Sequence, residues 1–201
     1  MWPQPEDEPP SLAAASETHC EYLPEERKWL LQLAHQSIES ALKLIDIPIG
    51  IVSDHLSESR GAFTTIFVHR NLRGCVGYVM PVAPLYRTIW ETARAAAFSD
   101  TRFPAISMEE LPNLEVSLSI LSPLTPISPE AVEIGRHGLV VTHEGHRGLL
   151  LPQVPGEHGW DRVTFLEQTC RKAGLPANAW KLGAKLEAFT AELFGDKPDL
   201  F

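Results

Sequence analysis

With 201 residues, 44% of them hydrophobic and 21% charged, the chain has the make-up of one large folded domain or two small lobes, and wholesale disorder is excluded. It contains no run of eighteen apolar residues, which excludes a membrane-spanning helix. The net charge of −9 is uneven: residues 1–26 hold seven acidic and no basic side chains, so the remainder is nearly neutral and lacks the basic excess that tight nonspecific nucleic-acid binding requires.

Residues 1–22 open with MWPQPEDEPP and read as a disordered, acidic, proline-rich tail without a secretory signal; the folded domain is expected over 23–201. Pro24 suits the first helical position, and Glu25 and Glu26 suit the first turn. Leu31, Ala34, Ile38, Ala41, Leu42 and Ile45 then recur at helical spacing, which predicts an amphipathic helix ending near Ile45. Residues 46–61, rich in Ser, Gly and Asp, read as a loop. Ala62–His69 reads as a strand, Arg70 and Asn71 as a turn, and Leu72–Val79 as the returning strand. Pro84 opens a second helix with Leu85, Ile89, Ala93 and Ala96 on one face. A polar loop follows at 99–104, and Ser107–Glu110 matches a capping box that Pro112 limits to about one turn.

Leu114–Leu121 alternates cleanly between apolar and polar residues and is a strand. Pro123, Pro126 and Pro129 mark a connection over the surface. Leu139–His143 and Gly148–Leu151 form a hairpin across Glu144–Gly145. Asp161 caps a helix carrying Phe165, Leu166 and Cys170, ended by Gly174 and Pro176. Leu186–Phe194 reads as one final strand. Hairpins mixed with helices, without a repeated βαβ unit, predict an α+β fold with a mixed, largely antiparallel sheet flanked by helices.

Phosphate-loop, dinucleotide-binding and nucleophile-elbow motifs are absent. Cys20, Cys75 and Cys170 form no CxxC, which fits a reducing cytoplasm and no iron–sulfur cluster. His143 and His146 stand three apart on a turn, one short of a zinc-helix spacing. No metal and no cofactor is expected.

The segment Leu72–Arg73–Gly74–Cys75–Val76–Gly77 stands out. Gly74 and Gly77 within a strand imply close approach of a backbone or a ligand. On a regular strand Arg73 shares the face of Cys75, where a guanidinium favours the reactive thiolate. Cys75 is therefore either a nucleophilic or binding thiol beside an anion-binding arginine, or a small buried side chain. Asp100 and Arg102, flanking Thr101, form either a ligand contact or a local salt bridge. Gln153 leads into Glu157–Asp161 at a helix start, which either frames an anion or only caps the helix. His69 is either a base for Cys75 or a surface histidine, and His137 carries the same alternatives.

Several stretches in order resemble the AMMECR domain family, also called AmmeMemoRadiSam system protein A: GAFTTIF (61–67), LRGCVG (72–77), AAFSDTRFP (96–104), LEVSLSILSP (114–123), GRHGLVV (135–141), GLLLPQV (148–154) and WDRVTFLEQTCRKAGLP (160–176). Val76 replaces the usual isoleucine and Thr101 the usual proline. The resemblance implies a larger and a smaller lobe with a cleft between them. It implies companions, a Memo-type protein and a radical S-adenosylmethionine enzyme, in a modification pathway. It supplies no settled reaction.

The expected function is a cytoplasmic component of that pathway that binds an anionic substrate, small or macromolecular, through Arg73, Gly74, Gly77, Asp100, Arg102 and Gln153, with Cys75 as nucleophile. The competing readings are a noncatalytic adaptor that presents substrate to its partners, and an RNA- or nucleotide-binding module.

Overall fold

Two interruptions, at Ser122 and Thr190, divide the protein between two sheets. The computed structural model describes residues 20–197. The first sheet contains β1 (Ala62–Val68), β2 (Asn71–Tyr78), β3 (Leu114–Leu121) and β8 (Ala191–Gly195), in the order β2-β1-β3-β8. The second contains β4 (Thr125–Pro126), β5 (Gly138–His143), β6 (His146–Leu150) and β7 (Lys185–Phe189), in the order β4-β7-β5-β6. All these pairings are antiparallel. The expected α+β class holds, with two antiparallel sheets in place of one mixed sheet.

The single final strand expected over Leu186–Phe194 is two strands. β7 pairs with β5 and β8 pairs with β3, so the chain changes sheets at Thr190. Ser122, where the chain leaves the first sheet, lies beside it: the Ser122 N–H donates to the Thr190 carbonyl at 2.9 Å, and the Thr190 N–H donates to Ser122 Oγ at 3.0 Å. Both crossings are thus satisfied by one local exchange of hydrogen bonds.

Helices α1 (Pro24–Lys43) and α3 (Leu85–Phe98) cover one face of the first sheet. Leu30, Leu33, Ala34 and Ile38 pack with Ile89, Ala93, Ile66, Val116 and Leu118 in one buried cluster. α1 stops at Lys43 because Leu44 adopts a left-handed conformation, φ 53°, so Ile45 falls outside it. The expected loop at 46–61 contains a further turn of helix, α2 (Asp54–Ser57), where Ser53 Oγ accepts the Leu56 N–H and Leu56 is buried. The β1–β2 turn is formed by His69 and Arg70, at φ 50° and 66°, one residue earlier than expected.

Most of the expected tail, residues 1–19, lies outside the described residues. Tyr22 at its end is a core residue, 1% exposed and stacked on the His55 ring, and burial pushes its hydroxyl up to about 12. Glu192 on β8 accepts the backbone N–H groups of Glu21 and Tyr22.

The second sheet is covered by α5 (Arg162–Lys172), whose Asp161 cap accepts the Thr164 N–H at 2.7 Å. Phe165, Leu166 and Cys170 pack against Leu139, Val141 and Ala188. A third cluster, Leu121, Val140 and Phe189 with Phe63, Val79, Leu149 and Leu151, joins the two sheets. Among the described residues no helix is long and apolar enough to cross a membrane.

Gly148 on β6 lies directly under the end of α5, where a Cβ would overlap the backbone of Ala173. Gly148→Ala is expected to cost about 3 kcal/mol in urea unfolding, because neither backbone can yield. Gly156→Ala, with open space around it, is expected to change stability by less than about 1 kcal/mol.

Candidate functional site

β2 is an outer strand of the first sheet, and its register with β1 decides where its side chains go. Gly74 pairs with Ile66, but Leu72 pairs with Phe67, so Arg73 is the extra residue of a β-bulge. The expected sharing of one regular face by Arg73 and Cys75 therefore fails. The Arg73 guanidinium is engaged by Glu110, with Nε and Nη2 donating to its two carboxylate oxygens at 2.8 and 3.1 Å. Glu110 also accepts the Ser107 N–H at 2.9 Å, as a capping-box glutamate does. Arg73 beside it holds the Glu110 carboxyl below its ordinary range.

Cys75 lies opposite Thr65. Its N–H donates to Asp100 Oδ2 at 2.9 Å, and its carbonyl accepts from Arg102 Nη2 at 3.3 Å. Both backbone groups of Cys75 thus point away from β1, toward the outer edge. This is the non-hydrogen-bonded position of an antiparallel pair. Asp100 and Arg102, delivered by the loop that ends α3, occupy the place a further strand would take. Arg102 Nε and Nη2 donate to Asp100 Oδ1 and Oδ2 at 2.9 and 2.7 Å, a planar two-point pair. The Arg102 side chain, with the Cys75 N–H, holds the Asp100 carboxyl well below the usual carboxylate range. Asp100 is mostly covered, whereas the Arg102 side chain is 58% exposed.

The Cys75 side chain is half-buried, and Thr65 Oγ1 donates to its Sγ at 3.2 Å. Cys75, Thr65 and Phe63 share the sheet face opposite α3 by strand alternation, the face from which Phe63 reaches the cluster joining the sheets. The two glycines have packing reasons of their own. A Cβ on Gly74 would overlap the Ala96 carbonyl of α3, and one on Gly77 would overlap the Phe63 ring.

Gln153 is exposed at the start of the short helix α4 (Val154–Glu157). No hydrogen bond among the described residues joins it to Cys75, Asp100 or Arg102, although Leu151, two residues earlier, packs in the joining cluster with Phe63 and Val79. His69 is not opposite Cys75: it stands in the β1–β2 turn and lines a separate cavity of about 400 Å³ with His35, Glu115 and Asp196. A second cavity, of about 580 Å³, is lined by Trp90, Arg94 and Leu44. Cys75 lines neither. His137 Nδ1 accepts the Glu133 N–H, and burial lowers its pKa. Among the described residues no group of three or more His, Cys, Asp or Glu is placed to hold a metal ion.

Thr65 and Glu110 were not among the expected site residues. The capping-box pattern at Ser107–Glu110 was the available signal for Glu110, since it fixes a carboxylate near a helix start. No local pattern marks Thr65, which is defined by register alone.

The AMMECR1 family model matches residues 31–194. A Thermococcus gammatolerans protein is 40% identical over 185 residues, covering 85% of this chain and 90% of its own length. Protein MJ0810 of Methanocaldococcus jannaschii is 38% identical over 180 residues, covering 85% and 90% respectively. Among solved structures, the uncharacterized protein PH0010 from Pyrococcus horikoshii is similar with a TM-score of 0.68 and 38% identity, over 85% of this chain and 92% of that one.

The Arg73–Glu110 pair carries a pH signature. A carboxyl lowered on folding contributes stability above its ordinary value of 4.5, and loses it as the pH falls from there through the folded pKa. Glu110→Gln is therefore expected to destabilise the protein by about 1 kcal/mol at pH 7. In urea titrations the gap between the two proteins is expected to close as the pH falls below 4.5.

Proposed function

Since this chain belongs to the AMMECR1 family, we propose that it binds an anionic ligand at the outer edge of β2, against Arg102, with Cys75 as the thiol the ligand meets. The observation that supports this reading is the Asp100 fork. It fixes an exposed guanidinium beside a half-buried cysteine, with the Phe103 ring against the guanidinium at 5.4 Å. Nη1 of Arg102 makes no hydrogen bond within the described residues and remains as a donor for an incoming oxygen.

Arg102 replaces Arg73 as the anion-binding side chain in this reading: a carboxylate engages Nε and Nη2 of both arginines, but the Arg73 side chain is only 16% exposed, whereas that of Arg102 lies largely in solvent. Asp100 neutralises much of the charge of Arg102, so the site suits a single carboxylate or phosphate held by directed hydrogen bonds rather than a polyanion. Asp100 and Thr65 are positioning residues, and Cys75 is the side chain available as a nucleophile. Gly74 and Gly77 contribute by letting α3 and Phe63 approach. The place of the protein is a cytoplasmic pathway with a Memo-type protein and a radical S-adenosylmethionine enzyme, following the family resemblance.

Native alkylation with iodoacetamide, followed by mass spectrometry, tests the reading. Cys75 is expected to label at least tenfold faster than Cys170, which is buried in the second core, with exposed Cys20 as the reference. Labelling of Cys75 only after denaturation would remove the thiol from any reaction. It would leave a noncatalytic adaptor as the reading to pursue.

A further inference from the structure

The edge of β2 is capped at one residue and open at the next position of the same parity. In an antiparallel ladder, residues two apart direct their backbone groups the same way. Cys75 and Gly77 lie opposite Thr65 and Phe63, two consecutive positions of one parity. The N–H and C=O of Gly77 therefore point outward, as those of Cys75 do. Those of Cys75 are taken by Asp100 and Arg102. Those of Gly77 have no hydrogen-bond partner among the described residues.

The surroundings of this opening are apolar on one side and charged on the other. Tyr78 and Met80, two apart, are both 39% exposed, and Val82 beyond them is 70% exposed. Arg102 stands at the other end with its free Nη1. Exposed sheet edges of this kind accept an added strand, in which main-chain hydrogen bonds supply affinity and alternate side chains supply selectivity. The Asp100–Arg102 cap stops such a strand at Cys75 and puts a guanidinium at its end.

We infer that the ligand of this edge is an extended peptide segment of another protein, added to β2 at Gly77 as a further strand, with an acidic side chain set against Arg102. This inference rests on the anionic-ligand reading above and names its substrate class. Alternate side chains of the segment would lie over Tyr78 and Met80 on one face and toward Cys75 on the other. An acidic residue is required because the one directed donor at the closed end of the edge is a guanidinium. A second copy of this chain fits less well: residues 71–82, which another β2 edge would present, contain no Asp or Glu to set against Arg102.

The test uses the full chain labelled with 15N and two libraries of N-acetylated heptapeptide amides. Each library has Val, Ile, Thr or Tyr at the flanking positions; one has a central Glu and the other a central Gln. Amide exchange at Gly77 is followed by NMR. The Glu library is expected to slow exchange of the Gly77 amide at least tenfold at 1 mM. The Gln library is expected to be at least fivefold less effective, and Arg102→Gln is expected to erase the difference between the two. Tyr78→Lys combined with Met80→Lys, both at exposed positions, is expected to weaken both libraries without lowering the melting temperature.

An unchanged Gly77 amide at saturating peptide would overturn the inference. So would protection of that amide in the free protein that grows with protein concentration, since a second copy would then cover the edge. Glutarate alone serves to separate the two proposals. If it shifts the Arg102 side-chain resonances while neither library protects Gly77, the peptide inference falls and the anionic-ligand reading stands. If neither glutarate nor either library perturbs Arg102, both fall.

Discussion

The carboxylate of Asp100 accepts hydrogen bonds from the Cys75 N–H, the Arg102 N–H, and Arg102 Nε and Nη2. The arrangement of the site depends on this one group. An outer strand presents backbone donors and acceptors that must be met by water, by another strand or by side chains. At Cys75 an ion pair meets them, and the same ion pair ties the 99–104 loop to the sheet. The geometry holds because Arg102 is planar and reaches both the carboxylate and the Cys75 carbonyl at once. Arg102 is thereby fixed while its outer donors stay in solvent. A long flexible side chain becomes a directed one, at the point where a thiol on the adjacent strand is half-exposed.

The rest of the fold keeps that point rigid. Gly74 lets α3 sit directly on β2, and α3 leads into the loop that carries Asp100 and Arg102. Gly77 lets the Phe63 ring lie across the strand, and Phe63 belongs to the cluster that joins the two sheets. The bulge at Arg73 turns its guanidinium to Glu110 and fastens β2 to the segment before β3. Each of the two glycines and the bulged arginine was a candidate ligand contact on residue type alone. Their observed contacts are structural, and they leave Arg102 and Cys75 as the groups that face outward.

Much of the fold was legible where local periodicity decides it. β3 was bounded correctly from its alternation, and the start of α1 from Pro24 and the two glutamates that follow. What escaped was set by tertiary contacts. Leu186–Phe194 is continuous as a pattern, and only the sheet change at Thr190 splits it. Tyr22 looks like part of an acidic lead-in until His55 and Arg60 close over it. A bulge has no signature in residue spacing, so Arg73 was placed on the wrong face. Asp100 and Arg102 were visible as a loop pair, but their attachment to the backbone of Cys75, twenty-five residues away, was not. The family was legible because its motifs occur in order along the chain, and the family comparison covers residues 31–194.

Hydrogen exchange at the Cys75 amide, in the natural protein and in Asp100→Ala, tests the central claim most directly. An Asp100 carboxylate bonded to that N–H predicts a protected amide in the natural protein at neutral pH. In the variant the protection is lost at Cys75 while the Gly74 and Val76 amides, on the other parity, keep theirs. A Cys75 amide that exchanges in the natural protein as fast as a solvent-exposed one would contradict the account. It would mean that the edge of β2 is not capped and that Arg102 is not held beside the thiol.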